Sequence, residues 1–414
     1  LLSTSFSLAA RAEPVSRTIN EIVALALKQN AELAALDKEA EARRLLALQA
    51  ATRSNPTLEF QGSTGSLTGS PDEQFASIGV SQEFSLNNKL RLRGEVLERE
   101  AEIVRLNREN SARLLKDEIT TLALDYSLTV NRRELAKDVV TLNRELVAIA
   151  GERFKAGDIP ELDLNITKVE LARAENRLLE IERELFPLRI KIASLSGLKE
   201  SDVSVADTLI PPKRPLGREE LVSQALAARP DFLALVREHD RAGTEVHLAT
   251  AEAEPNLTAG FFIQWQRSAT ELGGMSSVGT DTQLGVRLSM PMSLFNRNSG
   301  GQGAARARLD AAVSHHLALE RTITAEVESA HSRYVASERI LALFEQGIIQ
   351  QLNENLKLTQ EAYRLGEVGI LSVIDEQKKY YEVNEGYLSA LYGRRMAFSK
   401  LETAVASDLT GGVQ

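Results

Sequence analysis

The chain of 414 residues has few aromatics (5%), about a quarter charged residues (26%) and a formal net charge of −9. That acidic balance, with no basic patch interleaved with aromatics, argues against nucleic acid as a partner. Cysteine is absent, which removes disulfides, thiolate metal sites and lipid attachment at an N-terminal cysteine.

The first stretch, LLSTSFSLAARAEP, runs from apolar and small residues into Ala10-Arg11-Ala12, a small-x-small cleavage pattern ahead of Glu13. It reads as the end of a secretory leader, residues 1–12 being its remnant, on an exported protein. A frayed cytosolic leader is the alternative. A helix is expected from the capping-box pattern Thr18-x-x-Glu21 to about Arg53. The period then becomes two: Leu58 and Phe60 alternate with Glu59 and Gln61, and a second alternating run spans Phe75–Phe84. From about Asn88 to Lys155 no proline intervenes, enough for a helix of roughly 100 Å at 1.5 Å per residue. Within it Leu135, Val139, Leu142, Leu146 and Ile149 step by fours and threes. Beyond a turn at Gly157, Leu171, Ala174, Leu178, Ile181, Leu185, Leu188, Ile192 and Leu195 do the same, a coiled-coil seam that Pro187 should kink locally.

The second half repeats the first. Leu221-Val222, Ala234-Leu235 and Pro255-x-Leu257 answer Ile22-Val23, Ala35-Leu36 and Pro56-x-Leu58 at a separation of 199 (221 − 22). Later landmarks drift slightly, Tyr126 answering Tyr334 and Gly157 answering Gly366. Chance likeness between helices of biased composition does not keep an offset through Pro, Gly and aromatic positions. A helix is expected from about Arg218 to Glu252, then strands in which Ala259, Phe261, Ile263 and Trp265 alternate with Gly260, Phe262, Gln264 and Gln266. Phe262 is the one violation. Leu284, Val286, Leu288 and Met290 form the next alternating run, followed by helices from about Gly303 to Leu365 and Leu371 to Val405. The expected organisation is a first repeat over 13–198, a proline-rich linker over 199–216, a second repeat over 217–406 and a tail over 407–414.

The two turns, RFKAGDIPELD (Arg153–Asp163) and YRLGEVGILSVID (Tyr363–Asp375), share one pattern. Glycine supplies a positive-φ stop to one helix, and the acidic residue beside it sits favourably near the start of the next. As hairpin connections they need no further role. The alternating segments meet the length and one-sided apolarity of membrane strands, although an ordinary soluble hairpin has the same alternation. Four strands cannot close a barrel, since about eight is the smallest bacterial number, and an open edge in hydrocarbon leaves backbone groups unpaired. Strands of this kind in lipid require several chains to share one barrel.

The order of leader, duplicated halves, strand pair, long helix, glycine turn and return helix resembles the TolC family of outer-membrane efflux channels. LSMPMSLFNRNSGGQGAARARLD (Leu288–Asp310) is similar to the Pro-x-x-Leu-Phe-Asn-Arg-Asn-x-Gly segment of its heavy-metal, CzcC-like branch, and VSQEFSLNNKLRLR (Val80–Arg93) occupies the corresponding place in the first half. The resemblance implies a mainly α chain with membrane β: a coiled-coil α-barrel continuous with a transmembrane β-barrel shared by a homotrimer. It implies a Gram-negative outer-membrane location with a periplasmic extension, and two partners, a periplasmic adaptor and a proton-driven inner-membrane pump. By the same resemblance Gly157, Asp158, Gly366, Glu367, Val368 and Gly369 form adaptor-docking tips, Pro160 departing from its twin Gly369. Asp163, Arg364 and Asp375 fall at the periplasmic gate, where Ser372 replaces a second aspartate, and a solvated acidic face is the plain alternative. The function implied is passive conduction of divalent heavy-metal cations within a tripartite exporter. Small organic toxicants are the alternative cargo, and a poreless exported scaffold is the alternative class.

No cofactor or enzyme chemistry is expected. Gly300-Gly301-Gln302-Gly303 before a helix lacks the Lys-Ser/Thr of a phosphate loop, and no G-x-S-x-G elbow occurs. These glycines are expected to turn the chain from strand into helix. Among His239, His247, His315, His316 and His331 no pair has chelating spacing on a helix, so no metal site is expected.

Overall fold

The computed structural model describes residues 16–206, 217–273 and 275–409. The expected leader remnant, residues 207–216 of the linker and residues 410–414 of the tail lie outside the described residues. The first half carries α1 (Ile19–Gln29), α2 (Ala31–Ala50), β1 (Thr57–Thr64), β2 (Gln74–Phe84), α3 (Lys89–Ala156) and α4 (Glu161–Ser196). The second carries α5 (Arg218–Ala228), α6 (Pro230–Glu252), β3 (Leu257–Leu272), β4 (Met275–Ser289), α7 (Ser299–Phe344), α8 (Ile348–Leu365) and α9 (Ile370–Val405). The same order of elements thus recurs, apart from the α7–α8 break. No helix among the described residues is long and apolar enough to cross a membrane.

Each half begins with two helices where one is expected. The capping box forms: Thr18 Oγ1 accepts from the Glu21 amide at 3.3 Å, and Glu21 Oε2 accepts from the Thr18 amide at 2.9 Å. The helix stops at Asn30, whose backbone is extended and whose Oδ1 accepts from the Leu33 amide at 2.9 Å to open α2. In the second half the stop falls at Arg229, again 199 positions on (229 − 30). There the cause is different: Pro230 forces its predecessor into the extended region and then occupies the first helical position. A third break separates α7 from α8 at Gly347, with φ +87°, whereas α3 runs without interruption for 68 residues.

The turn from strand to long helix is made by asparagine in both halves. Asn88 and Asn298 have φ of +57° and +54°, a region asparagine tolerates better than other side chains. The glycines after Asn298, expected to make this turn, lie inside the first turns of α7 instead. A Cβ on Gly301 would come within 2.2 Å of Asn298 Oδ1, so that glycine makes room for the asparagine.

Two compact units divide the chain, and neither coincides with a repeat. One is built from the described residues of Leu1–Ala34, Arg108–Pro230 and Glu320–Gln414, the other from Ala35–Asn107 and Asp231–Leu319. In the first unit Ile19, Ile22, Val23 and Ala26 of α1 pack with Ile119 and Ala123 of α3 and with Leu185 and Ile192 of α4. The α4 seam is seen directly: Ile181, Leu185 and Ile192 are buried and the remaining seam positions half-buried, with exposed residues between. Along α3 the burial is wider than one seam, since Ala136, Val140, Asn143 and Ala150 are buried beside Leu135 and Leu146. The second stripe faces α9, to which Asn131 and Arg132 hydrogen-bond through the Tyr392 and Ser389 hydroxyls at 2.7 and 3.1 Å.

The second unit holds a four-stranded antiparallel sheet in the order β1-β2-β3-β4. Strands of the two halves meet at β2–β3, pairing Val80 with Phe261 and Ile78 with Ile263. One face is apolar across all four strands, in rows Leu58–Val80–Phe261–Val286 and Phe60–Ile78–Ile263–Leu284. The other carries Glu59–Gly79–Phe262–Gly285 and Gln61–Ser77–Gln264–Gln283. Phe262, the violation of the alternation, stands over glycine on both neighbouring strands. A Cβ on Gly285 would come within 2.3 Å of its ring. Nearby helices of this unit are joined by charge: Arg241 of α6 meets Glu238 at 2.7 Å, Glu245 at 3.1 Å and Glu100 of α3 at 3.7 Å. The hydrogen bond that the guanidinium donates to Glu238 first, and the charges of Glu238, Glu245 and Glu100 after it, hold it well above its ordinary range.

Replacing Asn30 by alanine removes the cap that reopens the helix. Asn30→Ala is expected to lower stability by about 1 kcal/mol, while Asn30→Asp keeps most of it. Denaturation in urea followed by helical circular dichroism measures both.

Candidate functional site

The two helical hairpins end in turns of the same geometry. At the first, Gly157 (φ +82°) donates its amide to the Phe154 carbonyl at 3.0 Å and Asp158 donates to the Arg153 carbonyl at 2.9 Å. At the second, Gly366 (φ +82°) donates to Tyr363 at 3.0 Å and Glu367 to Ala362 at 2.8 Å. Both are Schellman closures, in which a left-handed residue lets its own amide and the next one satisfy the last carbonyls of a helix. The chain then re-enters helix at Pro160 in one tip and Gly369 in the other, both extended and neither giving a side-chain cap.

An apolar cluster joins the tips. Leu146, Tyr363, Ile370, Val373 and Ile374 are its buried members, with Ile149, Ile166 and Val368 packed against them. Arg153 completes the connection: its Nη1 donates to the Tyr363 carbonyl at 2.8 Å, and its guanidinium lies 4.8 Å from the centre of the Tyr363 ring. One arginine of the first tip therefore caps the helix that ends in the second. Burial pushes the Tyr363 phenol up, and its hydroxyl is enclosed with no hydrogen-bond partner of ordinary geometry among the described residues.

Of the residues expected at the tips, Gly157, Asp158, Gly366, Glu367 and Gly369 are exposed, whereas Val368 is half-buried against the cluster. Leu162 and Leu371, the matched leucines of the two turn patterns, are not among the expected tip residues, yet each is 67% exposed on the first turn of its return helix. Their signal was present, because both follow the glycine by five positions (162 − 157 and 371 − 366). Arg153 was noticed only as part of the pattern, its reach across to Tyr363 being invisible in one dimension.

Asp163, Arg364 and Asp375 do not pair with one another. Asp163 is half-buried on α4, near enough for its charge to act on the Tyr363 phenol. Arg364 meets Glu361 on its own helix at 3.6 Å, both side chains more than 60% exposed. Asp375 is exposed and meets Lys379, one turn along α9, at 2.7 Å. The hydrogen bond and charge of Lys379 hold the Asp375 carboxyl below the usual carboxylate range.

Among the described residues no three His, Asp or Glu side chains converge as a metal-binding group. His316 stacks on Phe232 with ring centres 4.6 Å apart.

The second distinctive surface is the apolar face of the sheet. Phe60 is 70% exposed, Phe261 68% and Leu284 80%, so nothing among the described residues covers it. Beyond β4, Met292, Leu294 and Phe295 are exposed as well. The outer edges of β1 and β4 have no partner strand among the described residues. A face this apolar, with open edges, suits hydrocarbon only when further strands complete it.

Known proteins share this arrangement. Residues 221–407 match the outer membrane efflux protein family. The cobalt-zinc-cadmium resistance protein CzcC of Cupriavidus metallidurans is 23% identical over 383 residues, covering 90% of this chain and 86% of that protein. The pyoverdine export outer membrane protein OpmQ of Pseudomonas putida is 22% identical over 346 residues, covering 82% and 71%. Among solved structures, the transmembrane channel protein CusC superposes with a TM-score of 0.76 at 16% identity, covering 98% of this chain and 97% of that one. With its duplicated halves, its sheet of strands from both and its paired glycine tips, the chain has the TolC-type channel fold, and its residues 221–407 match the outer membrane efflux protein family.

Proposed function

We propose that three copies of this chain form a passive channel through the Gram-negative outer membrane, serving a periplasmic adaptor and a proton-driven inner-membrane pump. The observation that carries the reading is the sheet: an exposed apolar face bounded by two edges that have no partner strand among the described residues. Three copies of four strands make twelve, above the minimum of about eight for a closed barrel. The family match and the superposition with CusC support it. The chain has no catalytic part in this scheme, and transport energy comes from the pump.

Divalent heavy-metal cations are the proposed cargo. Likeness to CzcC across nine-tenths of the chain supports them, as does the Pro-x-x-Leu-Phe-Asn-Arg-Asn segment over Pro291–Asn298. OpmQ, whose name gives pyoverdine as its export, supports the second reading of an organic cargo. The cargo needs no resident metal site, since a conduit works by weak passage rather than tight coordination.

The tips are proposed as the adaptor-docking surface. Gly157, Asp158, Gly366, Glu367 and Gly369 give it shape and charge, Val368 anchors it to the cluster beneath, and Leu162 and Leu371 offer it apolar contact. Asp163, Arg364 and Asp375 are proposed for the periplasmic constriction, where Asp375 attracts cations and Lys379 moderates its field.

Chemical crosslinking of the purified protein should yield trimers, and planar bilayers should record stable conductance. Loss of the gene should sensitise the host to cobalt, zinc or cadmium. A protein that washes off membranes with carbonate and conducts nothing is a scaffold, and the channel reading ends there. Leu162→Glu with Leu371→Glu is expected to reduce adaptor crosslinking about tenfold or more, equivalent to roughly 1.4 kcal/mol, while trimers persist; undiminished crosslinking removes the tips from docking. Asp375→Asn is expected to lower cation preference in reversal-potential recordings. In the parent protein that preference should persist on acidification to below the ordinary aspartate pKa of about 3.9, because Lys379 keeps the carboxylate ionised.

A further inference from the structure

The polar face of the sheet carries an ion pair that spans all four strands. Glu59 lies on β1 and Arg287 on β4, yet Arg287 Nη1 donates to Glu59 Oε2 at 2.8 Å. Two strands intervene, and three glycines lie along the rows between. Gly79 of β2 and Gly285 of β4 share the register row of Glu59, while Gly260 of β3 pairs with Arg287 itself. The floor beneath is the ring of Phe262, whose centre lies 5.3 Å from the guanidinium. Glu59 Oε1 accepts from the Ser81 hydroxyl at 2.6 Å, which fixes the carboxylate from the other side.

This pair stands on the face opposite the apolar rows. In the channel proposed above, on which this inference rests, that face lines the lumen. Both side chains are partly solvated, Arg287 at 47% and Glu59 at 35% exposure, and half-exposed ion pairs contribute little to stability. Its consequence is electrostatic. An arginine without its partner would present one positive charge per copy to the lumen and repel cations along the exit path.

We propose that Glu59 is a selectivity-determining residue of the conduit: it masks Arg287 so that the barrel wall stays permissive to divalent cations. The carboxylate, the serine that holds it and the glycines along the rows between form one built feature of the wall. It is separate from Asp375 and the tips, which belong to the other compact unit.

Reversal potentials under a potassium chloride gradient, recorded on purified channels in planar bilayers, test the assignment. Glu59→Gln should lower the cation-to-anion permeability ratio by about twofold or more, and Arg287→Gln should raise it comparably, as expected when one charge of a neutral pair is unmasked. The double variant should return close to the parent, and Arg287→Lys should stay near it. Shifts of opposite sign support masking. Unchanged ratios, or shifts of the same sign in both single variants, overturn it and leave the channel reading intact. A parent protein that conducts no ions overturns the channel reading first and this inference with it.

Discussion

Backbone pairing is the constraint from which the rest of this structure follows. A strand in hydrocarbon has no water to satisfy its amides and carbonyls, and each unpaired group costs several kcal/mol there. Four strands with an exposed apolar face therefore form an unfinished object. The chain's pairing begins the solution by joining strands from both halves: β2 meets β3 over eleven residue pairs, Gln74 with Arg267 through Phe84 with Leu257. In the proposed trimer the remaining edges meet those of other copies, and the need for closure makes assembly a condition of residence in the membrane.

Duplication supplies those strands, and it kept geometry more faithfully than chemistry. The first helix of each half breaks at equivalent positions, once through the side-chain cap of Asn30 and once through Pro230. Both long hairpins close with the same pair of amide bonds around a glycine at φ +82°. The helices leading into the two tips differ more, since α7 and α8 are divided at Gly347 while α3 is continuous. A break in one arm and an uninterrupted helix in the other distinguish the two hairpins, whereas the cluster around Tyr363 and the reach of Arg153 hold their ends together.

The sheet's two faces obey different rules. On the apolar face neighbouring rows are filled with large side chains, which suits contact with a liquid hydrocarbon that needs no shape complementarity. The polar face is sculpted, with Gly285 leaving room for the Phe262 ring, glycines at 79 and 260 packed closely against the neighbouring strands, and the Glu59–Arg287 pair reaching across them. In the proposed channel this sculpted face is the wall that meets water, and its tailoring marks it as a working surface.

Much of this was legible in one dimension. Periods of two and of alternating three and four separated strands from coiled-coil helices, because side-chain direction follows backbone geometry. The repeated separation of 199 exposed the duplication, and the glycine-acidic turns marked both tips. What tertiary structure alone decided were relations between residues distant in the chain. Phe262 looked like an error of alternation until Gly79 appeared beside its Cβ and Gly285 beneath its ring. The second buried stripe of α3 depends on a neighbour more than two hundred residues away, as Asn131 with Tyr392 demonstrates. Asn30 read as a helical residue because its capping role depends on a local backbone dihedral that propensity does not reveal. Periodicity reports which face of an element is apolar, but which face meets which, and across what register, is set by packing in three dimensions.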